Sequence, residues 1–167
     1  MKNDKTDNHE QLFWEEIDRL FPDMIKAIAS LSKKSYLSIT NLRTGITWWS
    51  ERAMDYFGMK ENYTIRGMEK ANRKIHPDDV ATFKRGFKER VDGKNLDTAW
   101  EYRIQDGDSY NRFNAMARVL YDEQKQPFII IIRYDNYGIS DEVDSVTGLY
   151  TDCLLYTSPS PRDSTSS

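Results

Sequence analysis

Between His9 and Leu31 the apolar residues Trp14, Ile17, Phe21, Met24, Ile28 and Leu31 recur every three or four positions, which places them on one stripe of a helix. Pro22 interrupts the run, so the pattern predicts two short helices or one kinked helix, with Pro22 in the first turn of the second. Such a stripe either packs on its own domain or forms a seam for a second chain. Trp14, Ile17, Phe21, Met24 and Ile28 are the candidates for that dimer seam.

From Tyr36 the period drops to two. Tyr36–Thr40 reads as a strand, Asn41–Gly45 supplies turn residues, and Ile46–Trp49 reads as the returning strand of a hairpin. Ser50 is placed to cap a short helix, 51–57, that Gly58 terminates. Residues 60–75 are mixed and suggest short helical turns. The run Ile75-His76-Pro77-Asp78-Asp79 then opens a helix with a stripe of Val80, Phe83 and Phe87, ended by Asp92-Gly93. Pro77 suits the first helical position, and the two carboxylates suit the positive end of the helix dipole.

Three more strands follow. Thr98–Ile104 puts Trp100, Tyr102 and Ile104 on one face, and 106–108 makes a turn. Phe113, Ala115, Ala117 and Val119 alternate in the next strand, with a second turn at 122–125. Phe128–Tyr134 is a β-branched run of the kind found in a strand covered on both faces. The predicted order is two strands, several helices, then three antiparallel strands, an α+β class.

The chain has 167 residues, 38 % hydrophobic and 13 % aromatic, enough for the core of one ordinary domain. No apolar run approaches a membrane span, and Met1–His9 is too polar for a signal peptide, so a cytoplasmic location is expected. A net charge of -3 argues against a general nucleic-acid or anionic-membrane binder. The single cysteine, Cys153, excludes an internal disulfide framework and a multi-cysteine zinc site.

Catalytic chemistry finds little support. His76 reads as a helix-start residue and His9 as a solvated one. Asp78 and Asp79 diverge on adjacent helical positions, and the acidic clusters at 106–108 and 141–144 lack a calcium-loop pattern. No phosphate-cradling glycine loop is present. Aromatics are the suggestive feature. Trp49, Met54, Trp100 and Tyr102 are the candidates for lining a small-ligand pocket, against the simpler reading that they fill the core. Alternation puts Arg103 and Arg118 on the sheet face opposite Tyr102 and Ala117.

Two strands, a helical insert opened by Ile75-His76-Pro77-Asp78-Asp79, and three strands closing at Arg133-Tyr134-Asp135 resemble a PAS domain, in the subgroup with a His-Pro-Asp-Asp motif. That resemblance implies a five-stranded antiparallel sheet with helices on one face, preceded here by an N-terminal amphipathic helical segment. Asp135 keeps the aspartate that many members carry at the end of the last strand, whereas Asn136-Tyr137 depart from their Ile-Thr. With no cysteine before position 153, flavin-adduct photochemistry is disfavoured, as is haem, and the sequence requires no cofactor.

Beyond the last strand, Asp144-Ser145-Val146-Thr147-Gly148-Leu149-Tyr150 resembles the entry to a GGDEF domain, the diguanylate cyclase module that makes cyclic di-GMP from two GTP. Asp135, Asp144, Thr147, Gly148 and Leu149 are therefore the expected signal-transmission residues. Residues 153–163 resemble one reading frame of a sequencing-library adapter, so 153–167 is expected to be a disordered read-through artefact. The expected organisation is 1–34 helical segment, 35–137 sensor, 138–152 linker and truncated cyclase start. The expected function is a homodimeric sensor, with a possible small-molecule ligand, controlling a cyclase whose catalytic part lies downstream. The alternative is a ligand-free dimerisation module.

Overall fold

The computed structural model describes residues 4–15 and 17–139. Asp144, Thr147, Gly148 and Leu149, the expected linker from residue 140 onward, and the adapter-like segment 153–167 lie outside the described residues.

The N-terminal segment forms α1 (Asp4–Trp14), a 3-10 turn (Asp18–Leu20) and α2 (Phe21–Ser30), with Pro22 in the first turn of α2, as the proline pattern predicts. Helix begins at Asp4, inside the stretch read as a polar leader.

One antiparallel sheet organises the rest. Its strands are β1 (Ser35–Asn41), β2 (Ile46–Trp49), β3 (Tyr63–Ile65), β4 (Trp100–Asp106), β5 (Ser109–Tyr121) and β6 (Pro127–Ile139), in the order β3-β2-β1-β6-β5-β4. The early hairpin and the late three strands thus share one sheet, joined where β1 pairs with β6 (Ile39 opposite Ile131). Six strands stand where five were expected. The extra one, β3, is a three-residue edge strand paired to β2 through Trp48 and Tyr63. It arises in a stretch read as helical turns, because three residues are too few to show a period.

Between the hairpin and the late strands lie α3 (Glu51–Phe57), α4 (Gly67–Asn72), a 3-10 turn (Pro77–Asp79) and α5 (Val80–Val91). Ser50 caps α3, accepting from the amides of Ala53 and Leu37. Gly58 ends it in the left-handed region at φ 70°.

The core forms where these helices meet one sheet face. Trp49, Trp100, Tyr102, Ile104, Phe113, Ala115, Ala117, Ile130, Ile132 and Tyr134 come from the strands. Ala53, Phe57, Ala71 and Phe83 come from the helices. Burying such side chains stabilises the fold by roughly 1.5–3 kcal/mol for each large one. Two glycines set how closely helix meets sheet: at Gly86 a Cβ would lie 2.8 Å from Trp100 Cδ1, and at Gly67 2.8 Å from Thr47 Cβ.

Candidate functional site

All four residues expected to line a pocket lie in or against this core, but not as one wall. Trp49 belongs to a group in which rings stack or meet edge-on: Trp49–Phe57 (5.1 Å between centroids), Phe57–Tyr134, Tyr56–Phe113 and Tyr36–Tyr56 (5.3 Å). Trp100 and Tyr102, 5.8 Å apart on β4, pack with Phe83 of α5, which in turn meets Phe87. Among the described residues no ring contact joins the two groups. Met54, half-buried on α3, packs at the core's edge.

Three of those four residues carry a buried polar atom with no hydrogen-bond partner in the protein: Trp49 Nε1, Trp100 Nε1 and Tyr102 Oη. Arg90 Nε is a fourth. Leaving a buried donor unpaired costs on the order of 1–3 kcal/mol, so four in one core is a chemical feature of the site. All four can donate. Burial drives the Tyr102 hydroxyl well above its ordinary range, which keeps it protonated and able to donate.

Arg90 is a residue the sequence reading missed. Its side chain is 3 % exposed, with the guanidinium stacked on Trp100 at 4.2 Å. It donates to the carbonyls of Gly86 and Thr98. A signal existed: Gly86, one turn earlier in the middle of α5, marks a place where a large side chain meets the helix backbone.

At the far end of the core, Tyr56 Oη accepts from Asn111 Nδ2 at 3.0 Å, and burial pushes the Tyr56 hydroxyl up to about 12. Its stacked neighbour Tyr36 accepts from Asn136 Nδ2 (3.4 Å), and Asn136 Oδ1 accepts from the Gly138 amide, where φ is 89°. Beside it, Asp135 accepts from Ser35 Oγ at 2.5 Å and from Arg133 Nη2 at 2.9 Å. The first residue of β1 is thereby tied to the last strand, β6. Gly138, read from sequence as part of a connector, lies within β6, whose pairing runs on to Ile139 opposite Asn111.

The His-Pro-Asp-Asp motif has a structural job. His76 Nδ1 accepts from the Asp78 amide, and its ring meets Tyr110 edge-on at 4.5 Å. Asp79 does more than complement a dipole: it accepts from the backbone amide, Nε and Nη2 of Arg103 at 2.8, 2.8 and 2.9 Å, latching the start of α5 to β4. No cluster of three metal-ligating side chains stands together among the described residues. No helix among them is long and apolar enough to cross a membrane.

The seam residues distribute unevenly. Trp14 (41 %), Phe21 (54 %) and Ile28 (56 %) are exposed, whereas Ile17 and Met24 are half-buried.

The sequence profile of the PAS fold family matches residues 46–132, just over half of the 167-residue chain. No curated protein matches. Among solved structures, the chain is similar to a sensory box histidine kinase/response regulator from Burkholderia thailandensis E264. The identity is 16 % and the TM-score 0.56, over 73 % of this chain and 89 % of that one. It is also similar to the N-terminal domain of a diguanylate cyclase with PAS/PAC sensor from Marinobacter aquaeolei, at 15 % identity and a TM-score of 0.52, over 63 % of this chain and 96 % of that one. At such identities the likeness is one of fold. The family profile begins at β2; the missing partner, β1, is supplied by Ser35–Asn41 lying between β2 and β6. With the strand order, the helical insert and the profile in agreement, the chain belongs to the PAS fold family.

Proposed function

We propose that residues 35–137 are a cytoplasmic sensor whose core takes a small ligand, and that its last strand passes the state of the core to a diguanylate cyclase beginning near Asp144. The observation that carries the ligand reading is the set of buried donors without partners on Trp49, Trp100 and Tyr102. A ligand bearing acceptor groups would satisfy them. The cyclase reading is supported by the Asp144–Tyr150 motif and by the Marinobacter aquaeolei neighbour, itself a diguanylate cyclase. In this reading 138–152, whose first two residues belong to β6, is the linker and cyclase start, 153–167 is adapter read-through, and catalysis resides in the parent protein downstream. Coupling needs a ligand that binds one arrangement of the sheet exit better than another. The Ser35–Asp135 tie and the Tyr36–Asn136–Gly138 chain are where the core meets that exit.

The test is the parent reading frame. Continued past Asp152, it is expected to run into a GTP-binding half-site and a Gly-Gly-Asp/Glu-Glu-Phe loop. Cyclic di-GMP formation by that protein is expected to lose its dependence on ligand in Asp135→Ala while GTP turnover persists. A frame without the loop sinks the cyclase reading.

A second reading, a ligand-free dimerisation module, is favoured by the exposure of Trp14, Phe21 and Ile28 on the stripe. The occupant is a second copy of this chain. Phe21→Glu with Ile28→Glu is expected to convert dimers to monomers in sedimentation, and an unchanged mass would count against the stripe.

A further inference from the structure

The two tryptophans of β2 occupy successive positions, so their side chains leave opposite faces of the sheet. Trp49 enters the core. Trp48 does not belong to the core cluster, yet it is only 7 % exposed. Above it, between α2 and the start of α3, lies a cleft of about 240 Å3. Lys26 and Ala29, one turn apart on α2, form one wall, Glu51 and Arg52 the other, and Asn62 closes the end. Neither Lys26 nor Arg52 has a hydrogen-bond or ion-pair partner among the described residues. Asn62 donates its amide hydrogen to the Trp49 carbonyl at 3.0 Å, which leaves its Oδ1 as an acceptor.

We propose that this cleft is a second binding site, separate from the core, for a small planar acid: one aromatic ring bearing a carboxylate. An indole edge with Ala29 suits the flat apolar body. Two cations against one carboxylate give the cleft a net positive charge, and an arginine fork with a lysine in the same lining suits a carboxylate. Size limits the class, since the volume falls below the roughly 300 Å3 at which pockets for drug-sized ligands begin, so a nucleotide is too large and a single ring fits. A ring hydroxyl would find Asn62 Oδ1. Because Lys26 belongs to α2 and Arg52 to α3, the bound acid would pin the N-terminal helix to the sensor, a consequence the core site does not share.

The test uses the full chain labelled with 15N, titrated with 4-hydroxybenzoate and, separately, with the neutral 4-hydroxybenzamide. The chain's four tryptophans give separate indole N–H signals. The Trp48 signal is expected to move with the acid while those of Trp49 and Trp100 stay. Lys26→Gln and Arg52→Gln, both at exposed positions, are each expected to weaken binding about three- to tenfold, and Glu51→Gln to strengthen it. The amide is expected to bind at least about tenfold more weakly than the acid. The proposal is overturned if the Trp48 signal stays fixed at saturating probe, if the amide binds as tightly, or if the Trp100 signal moves instead. That last result would assign the acid to the core.

Discussion

Gly86→Ala is expected to lower the thermal unfolding midpoint by several degrees, although alanine is the better helix former. In an open helix the change would stabilise by about 1 kcal/mol. Here the added Cβ would lie 2.8 Å from Trp100 Cδ1 and 3.0 Å from Cγ. The indole has little room to retreat: it is 6 % exposed, with Phe83 and Tyr102 near 6 Å ring to ring and the Arg90 guanidinium over it. Overpacking of this kind costs about 1–3 kcal/mol and outweighs the propensity gain. Calorimetry on the single variant, on Trp100→Phe and on the double variant separates the causes. The smaller phenyl ring should recover part of the loss, so the double variant should be more stable than the two separate losses predict. A single variant as stable as the parent would mean that α5 and β4 do not meet as closely as the structure places them.

That contact also shows where sequence reading reaches its limit. Period-two alternation revealed β1, β4 and β5, the turn at 41–45 pointed to β2 as the returning strand, and a β-branched run marked β6. Alternation also put Trp100, Tyr102 and Ile104 on one face, and that face is the buried one. Ser50 and Gly58 were legible as helix caps because capping is local chemistry within three residues. β3 was not legible, being three residues held by pairing with Trp48 rather than by its own pattern. Gly138 was misread as a connector because a left-handed glycine looks the same in a turn and inside a strand that pairing with Asn111 extends. The separation of Trp49 from Trp100 and Tyr102 is set by the strand order, which puts β1, β6 and β5 between β2 and β4 and which no local period encodes. Arg90 was hidden for the same reason: its burial is created by the indole beneath it.

Asp79 is the clearest case of a role set by tertiary distance, and its removal should be costly. Its partner Arg103 lies 24 residues away and gives it three hydrogen bonds. Both side chains are 19 % exposed, so the pair is shielded from most of the solvent screening that weakens surface ion pairs. Asp79→Ala removes all three of these hydrogen bonds, two from a half-buried guanidinium and one from a backbone amide, and is expected to cost about 2–4 kcal/mol in urea unfolding. The pH dependence identifies the charge as the cause. Hydrogen bonds from Arg103 hold the Asp79 carboxyl below its usual 3.8, against an opposing effect of burial, with the Arg103 and His76 charges adding to the lowering. A carboxyl whose folded value is depressed contributes its full stabilisation above the unfolded value and loses it as pH falls through the folded value. The gap in stability between the parent and Asp79→Asn should therefore be constant from neutral pH down to about 5 and close below 3.8. Asp92 and Asp122 are also depressed, but they are present in both proteins and cancel in the difference. Parallel curves down to the acid limit would show that the latch works through shape and neutral hydrogen bonding instead of through ionisation of Asp79.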